Sequence, residues 1–223
     1  MYEYVKRDEY QPVREELETI IHNVQKIMKR FNITFQYRLI GSGKRHLITR
    51  VKGGNGGFDF DYNLILQAPE KGYRYDPNVI KDKFREAFNE AVKGTGYKAP
   101  EDSTSAITIK VVNQRKKKIL YSCDFAIIYY PNEDCDNRYF YLKNWKDGKY
   151  SFEMRLLKDA EWKRSQIVKY GNGWQAIRDE YLKLKNNNSD PNKHSFVLYL
   201  ESIHNVYNHI QQLEESSEDD DWD

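Results

Sequence analysis

Asp59 and Asp61 stand two residues apart in the run Phe58-Asp59-Phe60-Asp61-Tyr62-Asn63-Leu64-Ile65-Leu66. Alternation of apolar and polar residues is the pattern of a β-strand, which sends both carboxylates to one face with their Cα atoms roughly 6–7 Å apart. Like charges that close raise one another's pKa, and a divalent cation reverses the effect by holding both ionised. Asp124 is a third acid in an apolar setting, between Cys123 and Phe125 in the β-rich run Ile119 to Tyr130. If the two strands are neighbours, three carboxylates converge. Such a set, with neither imidazole nor thiolate in it, suits Mg²⁺ or Mn²⁺ rather than zinc, because hard cations prefer oxygen ligands. Two such ions, roughly 3.5–4 Å apart, would stabilise the attacking and leaving oxygens of an in-line displacement at phosphorus. The same Asp-Phe-Asp alternation also describes the wetted face of an edge strand, so spacing alone leaves both readings open.

Upstream, Ile33, Phe35, Tyr37 and Leu39 alternate into Gly41-Ser42-Gly43-Lys44-Arg45. A strand that ends in small residues frees backbone N–H groups and a hydroxyl for phosphate oxygens, and Lys44 and Arg45 add positive charge at the same place. The run is not a Walker A motif, which requires Gly-x-x-x-x-Gly-Lys-Ser/Thr, and this argues against a P-loop ATPase.

The elements that must position these groups follow from periodicity. Apolar residues from Val13 to Phe31 recur at three- and four-residue steps and predict an amphipathic helix. Asp76-Pro77 carries the cap and first-turn signature of a second helix, whose apolar stripe ends at Gly94. Ala106 to Val112 and Ile119 to Tyr130 read as strands joined by the basic connection Asn113 to Lys118, and a short hairpin is expected around Asp147-Gly148. Helices are then predicted near Glu153 to Tyr170, Trp174 to Lys185 and His194 to Leu213. This order implies an α+β sheet core over residues 1–150, a short C-terminal helical lobe over 151–213 and an acidic tail over 214–223, which is expected to be disordered.

Taken in order, Leu39-Ile40-Gly41-Ser42, then Phe58-Asp59-Phe60-Asp61, then a separate strand bearing Asp124 resembles the signature of the DNA polymerase beta-type nucleotidyltransferase superfamily. The match covers about Ile33 to Tyr130, and the long gap between the second and third acids resembles the oligoadenylate synthase and cyclic GMP-AMP synthase branch. The resemblance implies a mixed sheet flanked by helices. It also implies an enzyme that transfers a nucleoside monophosphate from a nucleoside triphosphate to a hydroxyl, with loss of pyrophosphate. Asp59, Asp61 and Asp124 would be the catalytic metal ligands for Mg²⁺ or Mn²⁺, and Gly41, Ser42, Lys44 and Arg45 the nucleotide-binding residues. The acceptor class, whether small molecule, nucleotide, RNA or protein, and the oligomeric state are left open by it. Relative to the family, the link from Ser42 to Asp59 is long and glycine-rich. It holds Lys44, Arg45, His46, Arg50 and Lys52 as candidate phosphate contacts, and its mobility is expected to gate the site.

Composition agrees with a polyanionic substrate. Seven acids fall in the last ten residues, leaving 36 Lys and Arg against 27 Asp and Glu elsewhere, a net charge of about +9. No apolar run approaches the roughly 20 residues of a membrane span, and the first residues lack the features of a secretory signal, so a cytoplasmic protein is expected. Cys123 and Cys135 read as free thiols. Competing readings are a catalytically inactive protein of the same fold and a basic nucleic-acid-binding module that uses Arg115 to Lys118 with some of the 18 tyrosines. His194, His204 and His209 read as surface residues, and Trp162 and Trp174 as anchors of the helical lobe.

Overall fold

The structure, a computed structural model, describes residues 1–70, 73–131, 138–145, 148–156 and 160–219. The chain divides into two compact units, Tyr4–Leu157 and a second made of Lys158–Asp223 with Met1–Glu3. In chain order the elements are β1 (Tyr2–Tyr4), α1 (Arg7–Met28) with a closing 3₁₀ turn Lys29–Phe31, β2 (Phe35–Ile40), α2 (Gly41–Lys44), β3 (Thr49–Val51), β4 (Phe58–Leu66) and α3 (Pro77–Ala91). There follow β5 (Glu101–Asp102), β6 (Ile107–Asn113), β7 (Lys118–Tyr129), β8 (Arg138–Trp145), β9 (Lys149–Leu156), α4 (Glu161–Ile167), α5 (Gly173–Asn187) and α6 (Ser195–Asp219).

The larger unit is a seven-stranded mixed sheet in the order β2-β4-β7-β6-β5, with β8 joined to the end of β7 and β9 to β8. The pair β4 and β7 is parallel, and every other pairing is antiparallel. Parallel neighbours need a crossover, and the chain makes it through α3. One sheet face is apolar: Phe58, Phe60, Tyr62, Leu64 and Leu66 of β4 are buried, as are Cys123, Phe125 and Ile127 of β7. The stripes of α1 and α3 cover it, with Tyr10 set edge-on to Phe60 and the Phe88 ring centroid 4.6 Å from that of Phe125. The other face carries the alternate residues, Asp59, Asp61 and Asp124 among them. Asp76 caps α3 as its sequence predicts, accepting hydrogen bonds from the backbone N–H of Asn78 (2.8 Å) and Val79 (3.3 Å).

Three expectations shift. The helix α1 begins at Arg7 rather than near Val13; Pro12 lies inside it, and the buried Tyr10 holds the preceding turn to the core. Residues Glu153 to Leu156, read as helical, are strand β9, so the sheet unit runs past the boundary at 150. Their helix propensity yields to a ladder with β8 that pairs every residue from Arg138↔Leu156 to Trp145↔Lys149. Its connection lies at the expected hairpin position, although Asp147 itself is outside the described residues. The helix α6 continues through the acidic stretch to Asp219, where disorder was expected from Glu214, because propagating an existing helix costs little. Residues 220–223 and Cys135 lie outside the described residues.

In the smaller unit, Ile167, Ile177, Tyr181, Leu198, Tyr199 and Ile203 form the buried contacts of α4, α5 and α6. His194, His204 and His209 are exposed as expected. Trp162 does not anchor this unit: it is 63% exposed, with its ring centroid 5.6 Å from that of Tyr207. No helix among the described residues is long and apolar enough to cross a membrane.

Lys81 gives a direct test of how the sheet unit is held together. Its ammonium is buried, at 3% exposure, and sits 3.0 Å from Asp102 of the edge strand β5. Asp102 also accepts from the Tyr150 hydroxyl of β9 at 2.9 Å. Burial pulls the lysine pKa down and Asp102 pulls it back up. Removing one partner of a buried pair strands the other charge; Asp102 is stranded less than Lys81, because Arg85 stays 3.6 Å from it and the Tyr150 hydroxyl still donates to it. Asp102→Ala is therefore expected to cost about 3–5 kcal/mol in urea unfolding, and Lys81→Met to leave stability within about 1 kcal/mol. Equal losses in the two variants would contradict the stranded-charge account.

Candidate active site

The strand β4 is paired on both sides, so its register fixes the site. Asp61 lies opposite Ile40 of β2 and opposite Asp124 of β7. Asp59 lies opposite Ser122, and Asp124 in turn lies opposite Thr108 of β6. A single row of the sheet thus runs Ile40, Asp61, Asp124, Thr108, with Asp59 and Ser122 in the next row on the same face. Adjacent strands are about 4.8 Å apart, which makes Asp61 and Asp124 neighbours although they are distant in sequence. The wetted edge strand considered above is excluded, because β4 is an interior strand.

The strand β2 ends at Ile40, and the chain turns over Asp61. Gly41 has φ +60°, a conformation that side chains rarely adopt, and a Cβ built there would fall 2.3 Å from Asp61 Oδ2. Glycine is needed here twice, for the backbone conformation and for the close approach. Gly43 packs its backbone on Leu39 and Phe60, where an added Cβ would lie 3.0 Å from each. Ser42 anchors the exit from the turn through its carbonyl, which accepts from Leu47 N–H at 2.9 Å. Its hydroxyl and the Lys44 ammonium have no hydrogen-bond or ion-pair partner among the described residues.

Of the remaining candidate phosphate contacts, Arg45, Arg50 and His46 are committed to the scaffold, and Lys52 is exposed. Arg45 Nη1 donates to the Gly41 carbonyl at 2.9 Å, and Arg50 pairs with Glu9 of α1 at 2.6 Å. The His46 ring meets the Tyr10 hydroxyl at 3.1 Å from a left-handed backbone, φ 55°. With Leu47 and Ile48 fully buried, the start of the link from Ser42 to Asp59 is tied to the body. The exposed part is the glycine turn at residues 52–57, and this too is fixed to β7: Asn55 accepts from Ile119 N–H at 2.9 Å and Gly53 from Lys118 Nζ at 3.2 Å. The freely mobile link expected from composition is replaced by one anchored at both ends.

Burial and mutual repulsion dominate the electrostatics of the acid cluster. The Asp61 carboxyl is pushed up to about 7, first by burial, then by Asp59 and then by Asp124, with Arg45 opposing. Behind the acids, burial and then the same three carboxylates raise the Cys123 thiol far above its ordinary range, which leaves it an inert neutral group of the core. The Thr108 hydroxyl donates to Asp124 Oδ1 at 2.5 Å. Among the described residues no three His, Cys, Asp or Glu side chains already converge on a point that would hold an ion.

Sequence reasoning missed Thr108 and Ser122. Ser122 could have been found, since it stands two before Asp124 on a strand of period two. Thr108 could not, because the register of β6 on β7 depends on the connection between them and on the shift at Val111/Val112.

Solved structures of Vibrio cholerae DncV share this helix-flanked mixed-sheet fold. The 3'-deoxy GTP-bound form matches with a TM-score of 0.62 and 10% identity over 91% of this chain and 67% of that one. The cyclic AMP-GMP synthase complex with a linear intermediate matches at 0.52 and 14%, over 78% of this chain and 45% of that one. The apo form matches at 0.54 and 14%, over 91% and 53%. The chain therefore spans from about half to two thirds of the length of the proteins it resembles. No protein-family model matches the chain, and no curated protein matches it in sequence.

Proposed function

We propose that the Tyr4–Leu157 unit is the catalytic core of a metal-dependent nucleotidyltransferase, which moves a nucleoside monophosphate from a nucleoside triphosphate to a hydroxyl and releases pyrophosphate. The observation that carries this reading is the side-by-side register of Asp61 and Asp124 beneath a Gly41 that approaches too closely to bear a side chain. Carboxylates arranged this way destabilise one another unless a cation joins them, and burial, followed by the charges of Asp59 and Asp124, raises the Asp61 pKa. The donor set fits Mg²⁺ or Mn²⁺: three carboxylates on adjacent strands, with the nearby thiol of Cys123 on the opposite face and protonated. Asp59, Asp61 and Asp124 would hold the ion or ions, and drawing them together takes rotation about side-chain bonds because their backbones are already neighbours. When bound, such ions neutralise charge that develops on the phosphate oxygens and acidify the acceptor hydroxyl.

The chain's own residues then have separate tasks. Gly41 and Ser42 offer backbone N–H groups and a hydroxyl to the β- and γ-phosphates, and Lys44 brings an uncommitted positive charge. Arg45 holds the Gly41 carbonyl and sets its charge beside Asp61. With the triphosphate fixed, the acceptor oxygen bonds to the α-phosphorus as the bond to the β-phosphate oxygen breaks, and catalysis rests on positioning and charge. DncV is a cyclic AMP-GMP synthase and di-nucleotide cyclase, which makes a second nucleotide the first acceptor to try.

The test is incubation of purified protein with each α-labelled nucleoside triphosphate, alone and in pairs, with Mg²⁺ or Mn²⁺, beside an Asp59→Asn, Asp61→Asn double variant. Labelled product and pyrophosphate that vanish in the variant are the expected result. Metal-independent label transfer, or transfer that persists in the variant, would overturn the assignment.

A further inference from the structure

We propose that Thr108 is a positioning residue of the metal site, its hydroxyl holding Asp124 in the one orientation that leaves the second carboxylate oxygen to the cation. The inference rests on the metal-dependent reading above and extends it to a strand that carries none of the acids.

Thr108 and Asp124 are direct cross-strand partners on β6 and β7, and the Thr108 hydroxyl donates to Asp124 Oδ1 at 2.5 Å. The hydroxyl points into the row that continues through Asp124 to Asp61, so the bond lies on the side of Asp124 away from Asp61. A carboxylate with one oxygen bound in this way can no longer swing freely. Oδ2 is then the oxygen left for a ligand on the Asp61 side. Threonine suits the task better than serine, because its branched Cβ restricts χ1 on a strand and keeps the hydroxyl on its partner. Partners of metal ligands commonly change affinity or activity by about 10–100-fold when removed.

Thr108→Val keeps the shape and removes the donor; Thr108→Ser keeps the donor and loosens it. Mn²⁺ binding to metal-free protein is measured by calorimetry and by the loss of the free-ion electron paramagnetic resonance signal, with turnover recorded in parallel and thermal midpoints confirming folding. Thr108→Val is expected to weaken Mn²⁺ binding by about tenfold or more and to raise the Mn²⁺ concentration for half-maximal turnover in proportion, while Thr108→Ser stays within about threefold of wild type. Thr108→Ala replaces the valine variant if that one does not fold. Unchanged Mn²⁺ affinity in a folded variant without the hydroxyl overturns the role of Thr108 and leaves the metal site standing. Wild-type binding that survives Asp61→Asn removes the metal site itself, and the proposal with it.

Discussion

Asp61→Asn is expected to lower nucleotidyl transfer by about a thousandfold or more, equivalent to about 4 kcal/mol of lost transition-state stabilisation, while raising the stability of the metal-free protein at pH 8. The two effects have one cause. Asp61 has a folded-state pKa of about 7, well above its ordinary value of 3.8, because burial and the charges of Asp59 and Asp124 penalise the ionised form. A group raised in this way contributes its full stability below the unfolded-state value, loses it progressively as pH rises, and has lost it above about 7. Asparagine has the same shape and no proton to lose. The variant should match wild type near pH 3.5, gain on it between about pH 4 and 7, and hold an advantage of about 2–4 kcal/mol above that. In a unit of this size the gain is several degrees in thermal midpoint. Saturating Mn²⁺ should reverse the order, stabilising wild type and not the variant. A pH-independent difference between the two proteins would contradict the burial argument, and full turnover in the variant would remove Asp61 from the mechanism.

Gly41→Ala has the second largest expected effect and tests the turn without altering any charge. The new methyl would need to occupy a point 2.3 Å from Asp61 Oδ2 while the backbone stays at φ +60°. Either the turn lifts or the carboxylate rotates away, and both disturb the relation between the triphosphate cradle and the acid row. Displacement of about 1 Å in a reacting assembly costs about a hundredfold, which is the smallest loss of turnover expected here. Gly53→Ala is the control, since Gly53 has φ +70° and open space around the added carbon. Both variants bear the left-handed backbone cost of about 1–2 kcal/mol, and Gly41→Ala alone should lose turnover. Equal turnover in the two would mean that the close approach of Gly41 to Asp61 has no part in catalysis.

The paired predictions separate what was legible in the chain from what was not. The strand β4 was readable throughout because one face is buried against α1 and α3 and the other is not, which writes a period of two into the sequence. The start of α3 was readable because a cap is a local interaction, spanning Asp76 to Val79. The strand β9 was misread because Glu153-Met154-Arg155-Leu156 are good helix formers whose state is decided by β8, a partner that propensity does not include. The basic residues after Ser42 were read as one phosphate-binding group, yet their destinations differ. Arg50 meets Glu9 and His46 meets Tyr10, both on a helix laid down earlier in the chain.

By itself the sequence determined the residue types and their local directions: two acids sharing one face of a strand, a third acid in an apolar run, and a small-residue turn with adjacent positive charge. Those follow from side-chain chemistry and strand geometry, which act over a few residues. Only the tertiary structure decided that Asp61 stands beside Asp124, that Gly41 covers Asp61, and that Thr108 holds Asp124 from the far side. The physical reason is that strand register is a long-range quantity. It is set by burying one apolar face under α1 and α3 and by the crossover that makes β4 and β7 parallel, and a slip of one residue would turn every acid in the row into the core.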